Sequence, residues 1–250
     1  MKKIAVINQK GGVGKSTTAL AIGAGLHLKG YSVLFVDLDA QGNLSYTLGA
    51  DTKGYRAMGA LERPETAKDE IQHTPSGDII ASSPKLAGAD KILEDTGKEY
   101  KLKEALESLQ GQYDYCIIDT PPALGILTIN ALTACTGAII PAQADIYSLQ
   151  GISQLYSTIE TVKRYCNPSL SIMGIVLTRY NARSTIRREV AEMLEQTAEQ
   201  LHTKLYATKI RECIALVEAE AMKRDIYSYA PRSNATKDYK ALVDEILKGE

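Results

Sequence analysis

The run Lys10-Gly11-Gly12-Val13-Gly14-Lys15-Ser16-Thr17 has the residue types to hold a phosphate chain. Glycines let successive backbone N–H groups turn toward one point, and a helix that starts after the last glycine adds the positive end of its dipole. A lysine at position 15 reaches β- and γ-phosphate oxygens, and a serine hydroxyl at position 16 is a ligand for Mg²⁺. Gly11, Gly12, Val13, Gly14, Lys15, Ser16 and Thr17 are therefore assigned to a phosphate cradle. The usual first glycine of such a loop is missing. Lys10 precedes Gly11 instead, so two lysines flank one loop.

Acidic residues supply the other half of the chemistry. Tyr115-Cys116-Ile117-Ile118-Asp119 is an apolar run ending in a carboxylate, so Asp119 is placed as a Mg²⁺ holder acting through a bound water. Asp37 and Asp39 stand two apart at the end of Val33–Asp37, on one side of an extended segment. Asp37 is assigned to Mg²⁺ and its waters, and Asp39 to the attacking water. Thr120-Pro121-Pro122-Ala123-Leu124-Gly125 then reads as a switch loop that reports a γ-phosphate.

These groups need a scaffold, and the chain spells one out. Continuous apolar runs at 4–7, 33–37, 78–81, 115–119, 137–141 and 172–178 read as strands covered on both faces. Short strands are also expected at 204–206 and 226–227. Helical periodicity fills 15–28, 100–109, 149–165, 186–201 and 236–247. The alternation predicts an α/β fold, a doubly wound and mostly parallel sheet flanked by helices. The loop, Asp37, Asp39 and Asp119 all fall at carboxyl ends of strands, where ligands bind in such sheets. Residues 50–76 are irregular and are expected to be a surface excursion within one domain spanning 1–250.

Composition narrows the class. Lys+Arg is 29 against Asp+Glu 30, so any nucleic-acid or membrane contact must come from a local patch. The four cysteines are widely spaced and form no Cys-x-x-Cys, as expected for small buried hydrophobes in a reducing compartment. Met1-Lys2-Lys3 opens on no apolar leader, and no run reaches the ~18 residues of a membrane span, so a cytoplasmic protein is expected.

Lys10–Ser16 resembles the deviant Walker A motif of the ParA/MinD ATPases. Val36-Asp37-Leu38-Asp39-Ala40-Gln41-Gly42-Asn43 resembles the second motif of ParA/Soj proteins. Asp119–Gly125, Ile140–Asp145 and Tyr229-Ala230-Pro231-Arg232-Ser233 continue the match across essentially the whole chain. Departures are Ala40 for a common proline, Ser16 for a common threonine and Thr120 for a common cysteine. The resemblance implies a P-loop NTPase that uses ATP and Mg²⁺ and sandwiches two ATPs in a homodimer. It implies that Lys10 crosses to the partner's nucleotide, that Asp39 activates water, and that hydrolysis is slow and acts as a timer. It also implies adenine contacts near Thr178-Arg179 and Pro231.

Residues 179–188 carry Arg179, Arg183, Arg187 and Arg188 and no acid, at the start of a helix capped by Ser184 or Thr185. Arginines there oppose the helix dipole, which points to an anion site. Lys209 and Arg211 join the patch ahead of the next helix. ParA/Soj proteins bind DNA without sequence preference through this region, so Arg183, Arg187, Arg188, Lys209 and Arg211 are assigned to non-specific DNA. The family implies a ParB-like centromere-binding partner and a nucleoid-associated location. The alternative is a MinD-like ATPase that positions a protein or membrane-bound cargo. The stripe Tyr239, Leu242, Val243, Ile246 and Leu247 is backed by mixed charge, which reads as a helix packed on the core rather than a membrane anchor.

Overall fold

Ile4, Ala5, Val6 and Ile7 follow two lysines and are fully buried, as a strand covered on both faces must be. They lie in and just after β1 (Lys2–Val6) of a computed structural model that describes residues 1–249. β1 runs parallel to β5 (Tyr115–Asp119) on one side and β6 (Gly137–Gln143) on the other. β2 (Val33–Asp37) pairs with the far side of β5, β4 (Gly77–Ile80) with β2, and β7 (Ser171–Thr178) with β6, all parallel. Only β3 (Ile71–Thr74), at the β4 edge, is antiparallel. The order is β3-β4-β2-β5-β1-β6-β7.

Alternate residues of each strand face opposite layers. Ile4, Val6 and Phe35 pack against α1 (Lys15–Leu28), α2 (Asn43–Thr47), α9 (Ile214–Ala221), α10 (Ile226–Tyr229) and α11 (Asn234–Lys248). Ala5, Ile7, Leu34 and Val36 face α3 (Arg56–Glu62), α4 (Ala89–Ile92), α5 (Lys101–Glu107), α6 (Ile126–Ala134), α7 (Ile146–Tyr165) and α8 (Thr185–Gln200). Gly23 lets α1 lie close on the sheet, because a Cβ there would sit 2.2 Å from Phe35 Cε1. Tyr239, Leu242, Val243 and Ile246 of α11 are buried, as their spacing predicts. The four cysteines are unpaired, and burial pushes the Cys116 and Cys135 thiols up to about 12.

The parallel, helix-flanked sheet matches the expectation, with four local differences. Residues 50–76 are not a mere surface excursion: α3 buries Ala57, Met58, Ala60 and Leu61, and the segment ends in β3. Ile226–Tyr227 is helical, because the Asp225 carboxylate accepts the N–H groups of Tyr227 and Ser228, both at 2.9 Å, and caps a turn. Lys204–Tyr206 makes one parallel bridge to Ile175 rather than a strand. Finally, α6 starts directly after the Pro121-Pro122 loop, with Asp90 Oδ1 accepting Ile126 N–H at 3.0 Å.

Candidate nucleotide site

The loop between β1 and α1 is held open by its backbone. Gly12 and Gly14 adopt φ of +73° and +87°, which side-chain-bearing residues rarely do. A Cβ on Gly11 or Gly12 would meet nothing within 4 Å, so the loop presents an empty concave face. Val13 is fully buried and pins the loop to the core. Neighbouring strand ends brace it. Thr178 Oγ1 donates to Val13 O at 2.8 Å, Gln143 Nε2 donates to Gly12 O at 3.2 Å, and Asn8 links Pro141 O to Lys10 N–H.

Lys15, only 7% exposed, donates to Lys10 O at 3.4 Å. Burial lowers its pKa, while the charges of Asp119 and Asp39 hold it up. Asp119 is completely buried and neither of its oxygens has a hydrogen-bond partner. Burial raises its carboxyl well above the ordinary range, and the charge of Asp37 adds to that. The nearby Ser16 hydroxyl and Lys15 ammonium pull the other way, although Ser16 forms no well-aligned hydrogen bond to it. An orphaned buried carboxylate facing a serine and a lysine is an arrangement that a hard cation completes.

Asp37 has a different surrounding. Its Oδ2 accepts Ser45 N–H at 2.9 Å and Ser45 Oγ–H at 2.7 Å, and its Oδ1 accepts Asp39 N–H at 3.1 Å. Burial is the main cause that pushes its carboxyl up to about 6. Both Asp37 oxygens thus carry protein donors that brace the turn after β2, and three donors leave about one acceptor position for the Mg²⁺ waters to which the sequence assigns it. Asp39 is half-buried. Its Oδ1 accepts Gln41 N–H at 3.0 Å, and its Oδ2 has no partner among the described residues. Thr120 Oγ1 donates to Val6 O at 2.9 Å and ties the end of β5 to the root of the loop.

Lys10 does not hang free. Its Nζ meets Asp145 Oδ2 at 2.5 Å in the same chain, while Asp145 Oδ1 caps α7 by accepting Ser148 N–H at 3.0 Å. Burial alone would raise the Asp145 pKa, but the Lys10 and Ser148 donors outweigh it and hold it below the usual value.

Beside the loop lies a cleft of about 290 Å³, walled by Val13, Thr178, Arg179, Ile210, Leu216 and Val217. A larger hollow of about 400 Å³, lined by Lys2, Thr136 and Ser171, lies at the amino ends of β1, β6 and β7, the opposite end of the strands, and contains none of the assigned residues. Thr178 and Arg179 line the small cleft as the sequence suggests, whereas Pro231 does not. Residues 210–220 were not anticipated there.

The basic residues divide. Arg183, Lys209 and Arg211 border one concavity of about 730 Å³. Arg187 donates to Arg179 O at 2.6 Å, holding that residue at φ +47°. Arg188 donates to Thr185 Oγ1 at 3.2 Å, and Lys209 stacks 4.8 Å from the Tyr180 ring centre. Arg211 forks onto Asp238 at 2.6 and 2.9 Å, which engages two of its five N–H donors.

A family model described as an AAA domain matches residues 1–172. Over 250 residues the chain is 39% identical to the sporulation initiation inhibitor protein Soj of Bacillus subtilis (strain 168), covering 98% of each chain. The chain belongs to the Soj/ParA family. A second relative, the chromosome partitioning protein ParA of Caulobacter vibrioides, is 34% identical over 260 residues, covering 100% of this chain and 95% of that one. The Soj/ParA chain also superposes on cobyrinic acid a,c-diamide synthase of Mycobacterium smegmatis, solved with bound ATP analog and magnesium. The TM-score is 0.83 at 34% identity, over 99% of this chain and 95% of that one. A putative plasmid partition protein of Borrelia burgdorferi bound to AMPPNP gives a TM-score of 0.83 at 25% identity, over 100% and 99% of the two chains.

Proposed function

We propose that residues 1–250 form one ATPase domain that binds ATP with Mg²⁺, dimerises around it, and coats DNA without sequence preference to partition a DNA cargo. The observation that carries the reading is Asp119: a buried carboxylate with no protein donor, beside Ser16 and Lys15 at the mouth of an open glycine loop. In this reading the N–H groups of Gly11 to Thr17 cradle the phosphates and Lys15 neutralises the β- and γ-oxygens. Ser16 and Asp119 hold Mg²⁺, which when bound offsets phosphate charge. The unpartnered oxygen of Asp39 orients the attacking water and accepts its proton.

Lys10 supplies the switch by leaving Asp145 for the γ-phosphate across the dimer. The arginines at 183, 187 and 188, with Lys209, then form a doubled phosphate-binding surface. A ParB-like partner stimulates turnover and release, and the protein works on the nucleoid in the cytoplasm. One observation weighs against the MinD-like alternative with membrane cargo: Tyr239, Leu242, Val243 and Ile246 of the α11 stripe are buried against the core. Gel shift of random-sequence duplex DNA with ATP, ADP and no nucleotide tests the proposal. Strong retardation is expected with ATP alone, and equal retardation in all three sinks the switch.

A further inference from the structure

We propose that Glu220 reads the ribose of the bound nucleotide, its carboxylate accepting hydrogen bonds from the 2′- and 3′-hydroxyls. The inference rests on the ATP site proposed above and names a residue within it that fixes specificity. α9 leans over the cleft beside the loop, and Glu220, half-buried near its end, lines that cleft together with Val13, Gly14 and Thr17. Its Oε1 accepts the Thr17 hydroxyl at 2.5 Å, so a carboxylate sits one hydroxyl away from the first turn of α1.

A negative charge there is a poor neighbour for a further phosphate. The ligand group beside it must be neutral and rich in donors. Past the α-phosphate, the next part of a nucleotide is the ribose, with two adjacent hydroxyls. A carboxylate offers about four acceptor positions, and Thr17 uses one. Carboxylates meet ribose hydroxyls in the same way in dinucleotide-binding folds. The rest of the wall mixes apolar Ile210, Leu216 and Val217, which suit the flat face of a base, with the charged Arg179, Arg211 and Glu212.

The test is equilibrium binding of ATP, 2′-deoxy-ATP and 3′-deoxy-ATP, with Mg²⁺, to the wild type and to E220A, E220Q and E218Q. Glu218 is on the same helix but outside the cleft, against Tyr229. The wild type and E218Q should favour ATP over each deoxy analogue by roughly tenfold, the scale of a lost charge-assisted hydrogen bond. E220A should bring both ratios to within about twofold of one, and E220Q should fall between. Each ratio is internal to one variant, so a general loss of stability does not mimic the result. Equal affinities for the three nucleotides in the wild type, or an unchanged ratio in E220A, would overturn the proposal and leave the ATP site standing. Failure of the wild type to bind ATP at all would overturn both.

Discussion

Lys10 and Asp145 form an ion pair within a single subunit, 2.5 Å apart and each about one-third exposed (34% and 32%). The lysine proposed to act on a partner's nucleotide is therefore already engaged at home, and dimerisation must break that pair. Partly exposed pairs of this kind are worth up to about 1 kcal/mol. Asp145→Asn should tighten ATP-dependent dimerisation by a few-fold while leaving monomer ATP affinity within about twofold. Lys10→Ala should abolish the dimer and keep monomer binding. Analytical ultracentrifugation with ATP checks both, and weaker dimerisation in the Asp145 variant would refute the competition.

Asp119 predicts a trade between stability and function. An uncompensated buried carboxylate is costly, so Asp119→Asn should raise the nucleotide-free unfolding midpoint by a few degrees, about 1–2 kcal/mol. The same change should erase the extra stabilisation that ATP gains from Mg²⁺. Thermal melts with ATP and either Mg²⁺ or EDTA read both effects.

The pH dependence follows from Asp37 and Asp119, whose folded-state pKa values are raised, to about 6 for Asp37. Between the unfolded value near ~4 and that raised value, the folded chain binds more protons than the unfolded one. These two groups therefore make the nucleotide-free protein lose stability as pH rises through that window. Mg²⁺ competes with the Asp119 proton, so Mg²⁺-dependent ATP affinity should weaken as pH falls. Denaturant titrations from pH 4.5 to 7.5 on the wild type and Asp119→Asn should show a smaller slope in the variant.

Asp39→Ala should lower turnover by at least about 100-fold, within the usual range for a lost general base, and leave ATP binding and dimerisation intact. Loss of binding instead would show that the Asp39 carboxylate, which accepts Gln41 N–H, maintains the loop after β2 or the metal.

The basic residues should separate by what they already touch. Arg183→Ala and Arg188→Ala should each weaken DNA binding evenly across sequences and reduce the salt slope by about one. Arg187→Ala should also weaken ATP binding, because Arg187 holds the carbonyl of Arg179 in the cleft wall. Arg211→Ala should weaken DNA binding less than Arg183→Ala, because Asp238 already holds two of its donors, and should lower stability only slightly. DNA affinity measured at several salt concentrations separates these cases.

The central strands and the glycine loop were legible because their signals are local. Val33–Asp37 and Tyr115–Asp119 are unbroken apolar runs, and their boundaries coincide with the structure. β3 was not legible, since Ile71-Gln72-His73-Thr74 is a short, mostly polar edge strand whose meaning comes from Gly77–Ile80 beside it. α6 was masked by the two prolines before it, and its cap, Asp90, lies 36 residues away. The spacing of Asp37 and Asp39 put both on one side of the segment, but the bonds from Ser45 to Asp37 come from the helix after the turn and were not legible. Nothing near Glu220 in sequence marks it, because its role depends on Thr17.

The contact between Thr17 and Glu220 spans 203 positions of chain. A polypeptide growing from its N-terminus completes the glycine loop, β1 and β5 long before it acquires the wall at 210–220. Contacts of such long range form late and slowly. Until α9 docks, a nascent or partly unfolded subunit has a phosphate cradle but no place for a nucleoside. In the proposed site, nucleoside binding thus requires that the last quarter of the chain has docked on the first.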